Sequence, residues 1–259
     1  MNPSTFRAVA IAIAACCGLA GVACSASPSS SQAAMSSTSP VFFTSGPQAT
    51  LEEAIRADDA AAIARALAAG ATVNAAGKQG VTPLMIAVDA QKPNAVQALL
   101  QARANPNLKA DDGHSAVSLA TENYAAKPDG HAIMLAVMHG GGNPDTLRPD
   151  REPVIRRFIN DHDLDDVRLF KQLGANLDII GRGDEPLITS VALAQDWDAV
   201  WCLIELGARY DYEGGKSTQP LSDALSLRFP APDSPMYPYK VKVWQLMKDQ
   251  GLPVRPLRH

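Results

Sequence analysis

The chain has 259 residues, of which 46% are hydrophobic, 19% charged and 5% aromatic. At ~100–200 residues per domain this fits one or two globular units and excludes a wholly disordered or fibrous chain. Its 23 Lys and Arg against 27 Asp and Glu give a net charge of -4, without the basic footprint that nucleic-acid binding requires. Four cysteines are too few for a disulfide framework.

Arg7 is the only charged residue before Glu52, and it precedes an apolar run from Ala8 to Ala23. That layout predicts a secretory signal over 1–23. The run is shorter than the ~18–20 residues of a membrane span, and a Ser-rich stretch follows it. Leu19-Ala20-Gly21-Val22-Ala23-Cys24 resembles the processing box of bacterial lipoproteins, although Gly21 stands where that family carries a larger aliphatic residue. The resemblance implies a lipid on Cys24 and, with Ser25 following, transfer to the outer membrane. The alternative is ordinary cleavage near Ala26 or Ser27, with Cys24 lost. Residues 24–49 read as a flexible Ser/Ala/Pro-rich linker, able to hold a domain ~25–30 Å from its anchor. Cys16 and Cys17 leave with the signal, and Cys202, within Val200-Trp201-Cys202-Leu203-Ile204, reads as a core thiol and not a nucleophile.

From residue 50 to 259 the chain repeats. The segments Leu67-Ala68-Ala69-Gly70-Ala71, Leu100-Gln101-Ala102-Arg103-Ala104, Met138-His139-Gly140-Gly141-Gly142, Lys171-Gln172-Leu173-Gly174-Ala175 and Ile204-Glu205-Leu206-Gly207-Ala208 share one form. Their fourth positions, with a weaker member at Gly251, are spaced 33, 38, 33, 33 and 44. Helix-opening turns at Pro83, Ala116, Pro153, Pro186 and Pro220 run in phase, spaced 33, 37, 33 and 34. Pro in a first helical turn fixes φ where no N–H is needed, and Thr82 before Pro83 can cap the helix. The glycines fall where a second helix must end in a left-handed residue, a place that Arg103 fills under strain. Short amphipathic helices such as 83–90 and 93–102 can bury their apolar sides only against neighbouring repeats. The longer steps predict an insert near Tyr124–Pro128 and another around Pro230–Tyr239.

Thr82-Pro83-Leu84-Met85-Ile86-Ala87 resembles the ankyrin signature T-P-L-H-x-A, and Gly70-Ala71-Thr72-Val73-Asn74 resembles its closing turn. The resemblance implies an all-α ankyrin-repeat solenoid of about six helix-turn-helix units over 50–259, the first and last being caps, with short fingers between units.

Motifs of catalysis and metal binding fail on inspection. Gly215-Lys216-Ser217 copies the end of a P-loop, but Tyr210 stands where its first glycine belongs. Gly113-His114-Ser115-Ala116-Val117 lacks the final glycine of a nucleophile elbow; by repeat register His114 is a finger residue and Ser115 a helix cap. Asp161-His162-Asp163-Leu164-Asp165 alternates acids like a calcium loop, yet Asp166 and Gln172 occupy the places of its glycine and bidentate glutamate. His131, His139 and His259 show no ligand spacing. No metal and no cofactor is expected.

Ankyrin geometry implies that fingers and first helices line a concave, partner-binding face. In repeat register that face takes Lys78, Gln79, Asp89, Asp111, Asp112 and His114 from the first half. Glu122, Asn123, Arg151, Arg182, Asp184 and Tyr212 follow from the second. Met236, Tyr237 and Tyr239 in the second insert offer rigid aromatic area to a partner, or else cover the last repeat's apolar end. Trp197 and Trp201, four apart, are expected to pack together at the helix–helix seam. The layout as a whole is similar to periplasmic immunity proteins, which neutralise secreted antibacterial effectors such as phospholipases. The expected protein is therefore an exported, lipid-anchored, monomeric binding module without enzymatic activity. The alternative is an envelope scaffold supporting a resident enzyme, for example an antioxidant one.

Overall fold

A computed structural model of the chain describes residues 40–212, 220–227 and 230–256. The signal and lipidation readings, including Cys24, fall outside the described residues, as do the Gly215-Lys216-Ser217 turn and His259.

Among the described residues α-helices come in six pairs, and no strand longer than an isolated bridge is present. The pairs are α1 (Gly46–Arg56) with α2 (Ala60–Ala68), α3 (Pro83–Asp89) with α4 (Pro93–Gln101), and α5 (Ala116–Asn123) with α6 (Gly130–His139). They continue as α7 (Arg156–Asn160) with α8 (Leu164–Gln172), α9 (Leu187–Leu193) with α10 (Trp197–Glu205), and α11 (Leu221–Ser226) with α12 (Tyr237–Asp249). First helices pack on first helices and second on second: α1 on α3 on α5 in one layer, α2 on α4 on α6 in the other. This is the helical solenoid that the 33-residue period implies.

Each repeat buries one stripe per helix. On α4 these residues are Ala95, Val96 and Leu99, on α8 Val167 and Phe170, and on α10 Trp197, Val200 and Leu203, all essentially inaccessible. Tyr124, at the end of α5, stacks edge-on against Phe158 of α7 with centroids 4.6 Å apart, and Phe158 meets Phe170 of α8 at 4.7 Å. Aromatic contact thus carries the core across the lengthened third repeat.

The closing turns form a hydrogen-bonded ladder. The main-chain N–H of Asn105 donates to Asn74 Oδ1 (2.8 Å), that of Asn143 to Asn107 Oδ1 (2.8 Å), that of Asn176 to Asp145 Oδ1 (2.7 Å) and that of Arg209 to Asp178 Oδ1 (2.8 Å). Within the turns, Asn105, Asn143 and Asn176 accept from the N–H two residues on, at 2.9–3.0 Å. At the front of the stack Gln48 takes both sides of Thr72, accepting its N–H (2.9 Å) and donating to its carbonyl (3.1 Å). The fingers are hairpin-like, closed by single bridges such as Lys109 with Ser115 and Ile180 with Pro186.

Several local expectations need correction. The unit that holds the helices begins at Pro40, and α1 starts at Gly46, inside the stretch read as linker. The cause is Glu52, only 3% exposed, whose carboxylate accepts the N–H groups of Phe42 (3.0 Å) and Phe43 (2.8 Å) and pairs with Arg56. Only Pro83 occupies a first helical turn as expected; Pro186 and Pro220 cap α9 and α11 from outside, and Pro153 precedes α7 by a turn. Tyr237 and Tyr239 lie in the first turn of α12 and not in a loop, because Pro238 is well placed to open a helix there. Trp197 is buried as expected, whereas Trp201 is only half-buried.

Each second helix ends left-handed, at Gly70, Gly141, Gly174, Gly207 and Gly251, and Arg103 holds the same place with φ 67°. Left-handed backbone costs a residue with a Cβ ~1–2 kcal/mol, and glycine returns ~0.5–1 kcal/mol of that through its freer unfolded chain. Arg103→Gly is therefore expected to raise the unfolding free energy by about 0.5–1 kcal/mol in urea denaturation. Unchanged or lower stability would contradict the strain.

Candidate functional site

The fingers stack because their backbones touch: Asp111 N–H donates to the Gln79 carbonyl (2.9 Å) and Lys78 N–H to that of Phe42 (3.1 Å). Lys78, Gln79, Asp111, Asp112, Arg151, Arg182 and Asp184 are all exposed at finger tips. Asp112 also orders its own finger by accepting the N–H of His114 (3.0 Å).

Behind the tips lies a charged chain that crosses from the second finger to the third. His114 Nδ1 stands 3.8 Å from Glu122 Oε1, which faces Arg148 Nε at 3.3 Å, and Arg148 reaches Asp150 at 3.4 Å. Arg151 pairs with Asp184 of the next finger at 3.2 Å. Arg156, which the sequence did not single out, donates to Asn160 Oδ1 and to Ser190 Oγ, both 2.9 Å, and joins α7 to α9. Burial lowers its pKa, with Glu152 and Asp196 opposing, and burial raises that of Asp196.

Ser118, His114 and Glu122 have the residue types of a hydrolytic triad without its geometry. Ser118 Oγ (3.4 Å) and Glu122 both face the same ring nitrogen, Nδ1, whereas a relay needs hydroxyl and acid on opposite nitrogens. Ser118 is also fully buried in a capping box with Ser115, donating to the Ser115 carbonyl and accepting its N–H. The acids of the calcium-like segment serve the fold. Asp161 accepts from Tyr124 OH (2.9 Å), Asp163 caps α8, and Asp166 meets His131 at 3.1 Å. Burial and the Asp161 bond push the Tyr124 phenol well above its usual range. Among the described residues no group of three His, Cys, Asp or Glu is disposed to hold a metal, and no helix is long and apolar enough to cross a membrane. Cys202 is buried, and burial raises its thiol pKa, which disfavours the thiolate.

Not all the expected contact residues converge. Asp89 lies at the far end of α3, where its carbonyl accepts from Lys127 Nζ (2.8 Å), and Asn123 ends α5 on the same side. Tyr212 is half-buried beneath Arg209, whose guanidinium sits 5.0 Å from the ring centroid; burial and Asp178 raise its phenol. Met236, Tyr237 and Tyr239 belong to the last helix pair. Met236 and Tyr239 pack against the core there, apart from the His114 to Arg148 chain.

The same pair holds a group that sequence reasoning missed. Lys240 is 0% exposed, with Nζ 4.6 Å above the Trp197 ring, 3.2 Å from the Leu227 carbonyl and 3.4 Å from Gln195 Oε1. Gln195 in turn accepts from the Trp197 indole N–H (3.2 Å). Burial pushes the Lys240 ammonium down to about 8. Because the unfolded chain keeps this proton to higher pH than the folded one, stability rises with pH from about 8 towards the ordinary lysine value. Lys240→Met is expected to abolish that rise in melting temperature between pH 7.5 and 9.5. An equal rise in the variant would contradict the assignment.

Residues 67–120 match the family model described as ankyrin repeats (many copies). The matched stretch runs from the end of α2 into α5 and contains both the Thr82 and the Ser115 helix caps. No curated protein matches the chain.

Proposed function

We propose, from the ankyrin-repeat match over residues 67–120 and the paired helices of the described residues, that the chain is an all-α ankyrin-repeat solenoid acting as an exported, non-enzymatic binding module that neutralises a secreted antibacterial effector such as a phospholipase. Ankyrin repeats are protein–protein interaction modules, so the coarse role follows from the fold; the identity of the partner is the further step. The observation that carries it is the row of stacked fingers. It sets exposed Lys78, Asp111, Asp112, Arg151, Arg182 and Asp184 on a hydrogen-bonded scaffold, so a partner meets charged tips without a large ordering cost.

Location is the second support. Arg7, the apolar run Ala8–Ala23 and the Cys24 box favour a lipid-tethered protein at the periplasmic face of the outer membrane, where an incoming effector would act. The tether would keep the fingers clear of the headgroups.

The test is protection. Full-length protein is expected to rescue cells from the effector delivered to their periplasm, and a form without residues 1–23 is expected to leave them sensitive although its folded domain still binds. Equal protection by the leaderless form would contradict the reading. Recovery of a resident envelope enzyme instead of a toxin, in pull-downs from envelope and secreted fractions, would favour a scaffold role.

A further inference from the structure

The front of the finger row is occupied by a piece of chain that belongs to no repeat. Residues 40–45 precede α1, and Phe42 stands to the first finger as Gln79 stands to the second. Its carbonyl accepts the Lys78 N–H at 3.1 Å, as the Gln79 carbonyl accepts that of Asp111 at 2.9 Å. The Phe43 ring lies on Gly77, where a Cβ would come within 2.9 Å of it. Gly77 has φ -83°, a value open to any residue, so the missing side chain makes room for the ring and does not serve the backbone.

Glu52 walls this slot. Arg56 Nε holds its Oε1 at 3.1 Å, which leaves Oε2 to accept two successive main-chain N–H groups, those of Phe42 (3.0 Å) and Phe43 (2.8 Å). The hold on the segment is local. Phe42 and Phe43 are half-buried, Val41 is 48% exposed, and Ser45 gives α1 no side-chain cap. Helix α1 keeps its own packing on α2 and α3, so the segment can lift away while the first repeat stays folded.

We propose that this slot, floored by Gly77 and walled by Glu52, docks an extended protein segment with two adjacent aromatic residues, and that residues 40–45 are its resident occupant, displaced when a partner binds. The proposal rests on the protein-binding reading above and places a contact at the front end of the finger row. The occupant defines the chemistry of the ligand. It supplies a carbonyl to the Lys78 N–H, a ring to the glycine floor, and two consecutive N–H groups to Glu52, which excludes proline at either place. Because it is part of the same chain, it competes at high effective concentration. A partner therefore needs further contacts to replace it, and the exposed tips of the adjoining fingers, Lys78 and Asp111, supply them.

Displacement is tested by amide exchange in the full-length protein. Phe42, Phe43 and Lys78 are expected to exchange together, well before the buried amides of α1 and α3; exchange only through global unfolding would overturn the proposal. Docking is tested with an acetylated, amidated peptide of the sequence of residues 40–45, followed by amide NMR shifts at Gly77 and Lys78. A Phe42→Ala, Phe43→Ala variant, whose own segment holds weakly, is expected to bind the peptide about tenfold or more tighter than the wild type. Adding Gly77→Ala or Glu52→Gln to that variant is expected to weaken binding about tenfold, and a peptide with both phenylalanines replaced by alanine is expected not to bind. No binding, equal binding by wild type and variant, or indifference to Gly77→Ala overturns the proposal. So does concentration-dependent dimerisation of the variant, which would put a second copy on this edge. No partner takes part in the titration, so its failure removes the slot alone, and the binding reading is decided separately by the protection assay.

Discussion

The register of the stack depends on one repeated bond, from the main-chain N–H of one closing turn to the side-chain oxygen of the turn before it. Asn74, Asn107, Asp145 and Asp178 supply that oxygen, one per repeat. Helix burial alone favours contact between neighbours without fixing their rotation or rise, since apolar stripes slide at little cost. A directional bond worth ~0.5–1.5 kcal/mol net, placed at the same point of every repeat, fixes both. The fingers inherit that register, and so does any surface they form.

Both ends of the ladder are closed by different means. At the front, Gln48 mimics a preceding turn by bonding both polar groups of the Thr72 peptide. At the rear, the position equivalent to Asn105 and Asn143 is Pro253, which has no N–H to give. The Asp211 carboxylate accordingly turns to Arg209 Nε at 3.2 Å. A solenoid cannot end on an apolar face without inviting further stacking, and here the last pair is reinforced by Lys240 on the buried side of α12, where a hydrocarbon side chain would have sufficed for packing. Buried charge of this kind is weak as a source of stability. Its contribution is to bind α12, the Leu227 carbonyl and the Gln195 turn to one another.

Much of this was legible in the residues. The left-handed helix ends, the strained Arg103, the insert after α5 and the Thr82 and Ser115 caps follow from local backbone rules that tertiary context does not override. Faces of helices were less legible. Trp197 and Trp201 are four residues apart, about 40° round a helix of 3.6 residues per turn, and that small angle divides a core residue from a half-exposed one. The start of α1 was hidden because Gly46, Pro47 and Gln48 have loop-like composition, and only the distant Glu52 holds that segment down. Lys240 was invisible because lysine is almost never fully buried, and no spacing rule marks the exception. For the candidate surface, register marks which residues belong to fingers, but it does not show that Arg148 and Arg151 are paired with Glu122 and Asp184.

The ladder is tested most directly by native-state amide hydrogen exchange at Asn105, Asn143, Asn176 and Arg209. These residues are exposed to solvent, so an unbonded N–H there would exchange within the time of the unprotected finger tips. The account predicts protection comparable to that of the neighbouring helices at all four, and selective loss of it at Asn143 when Asn107 is replaced by Ala. Exchange at these four amides as fast as at Asp112 would contradict the claim that side-chain bonds set the register of the stack.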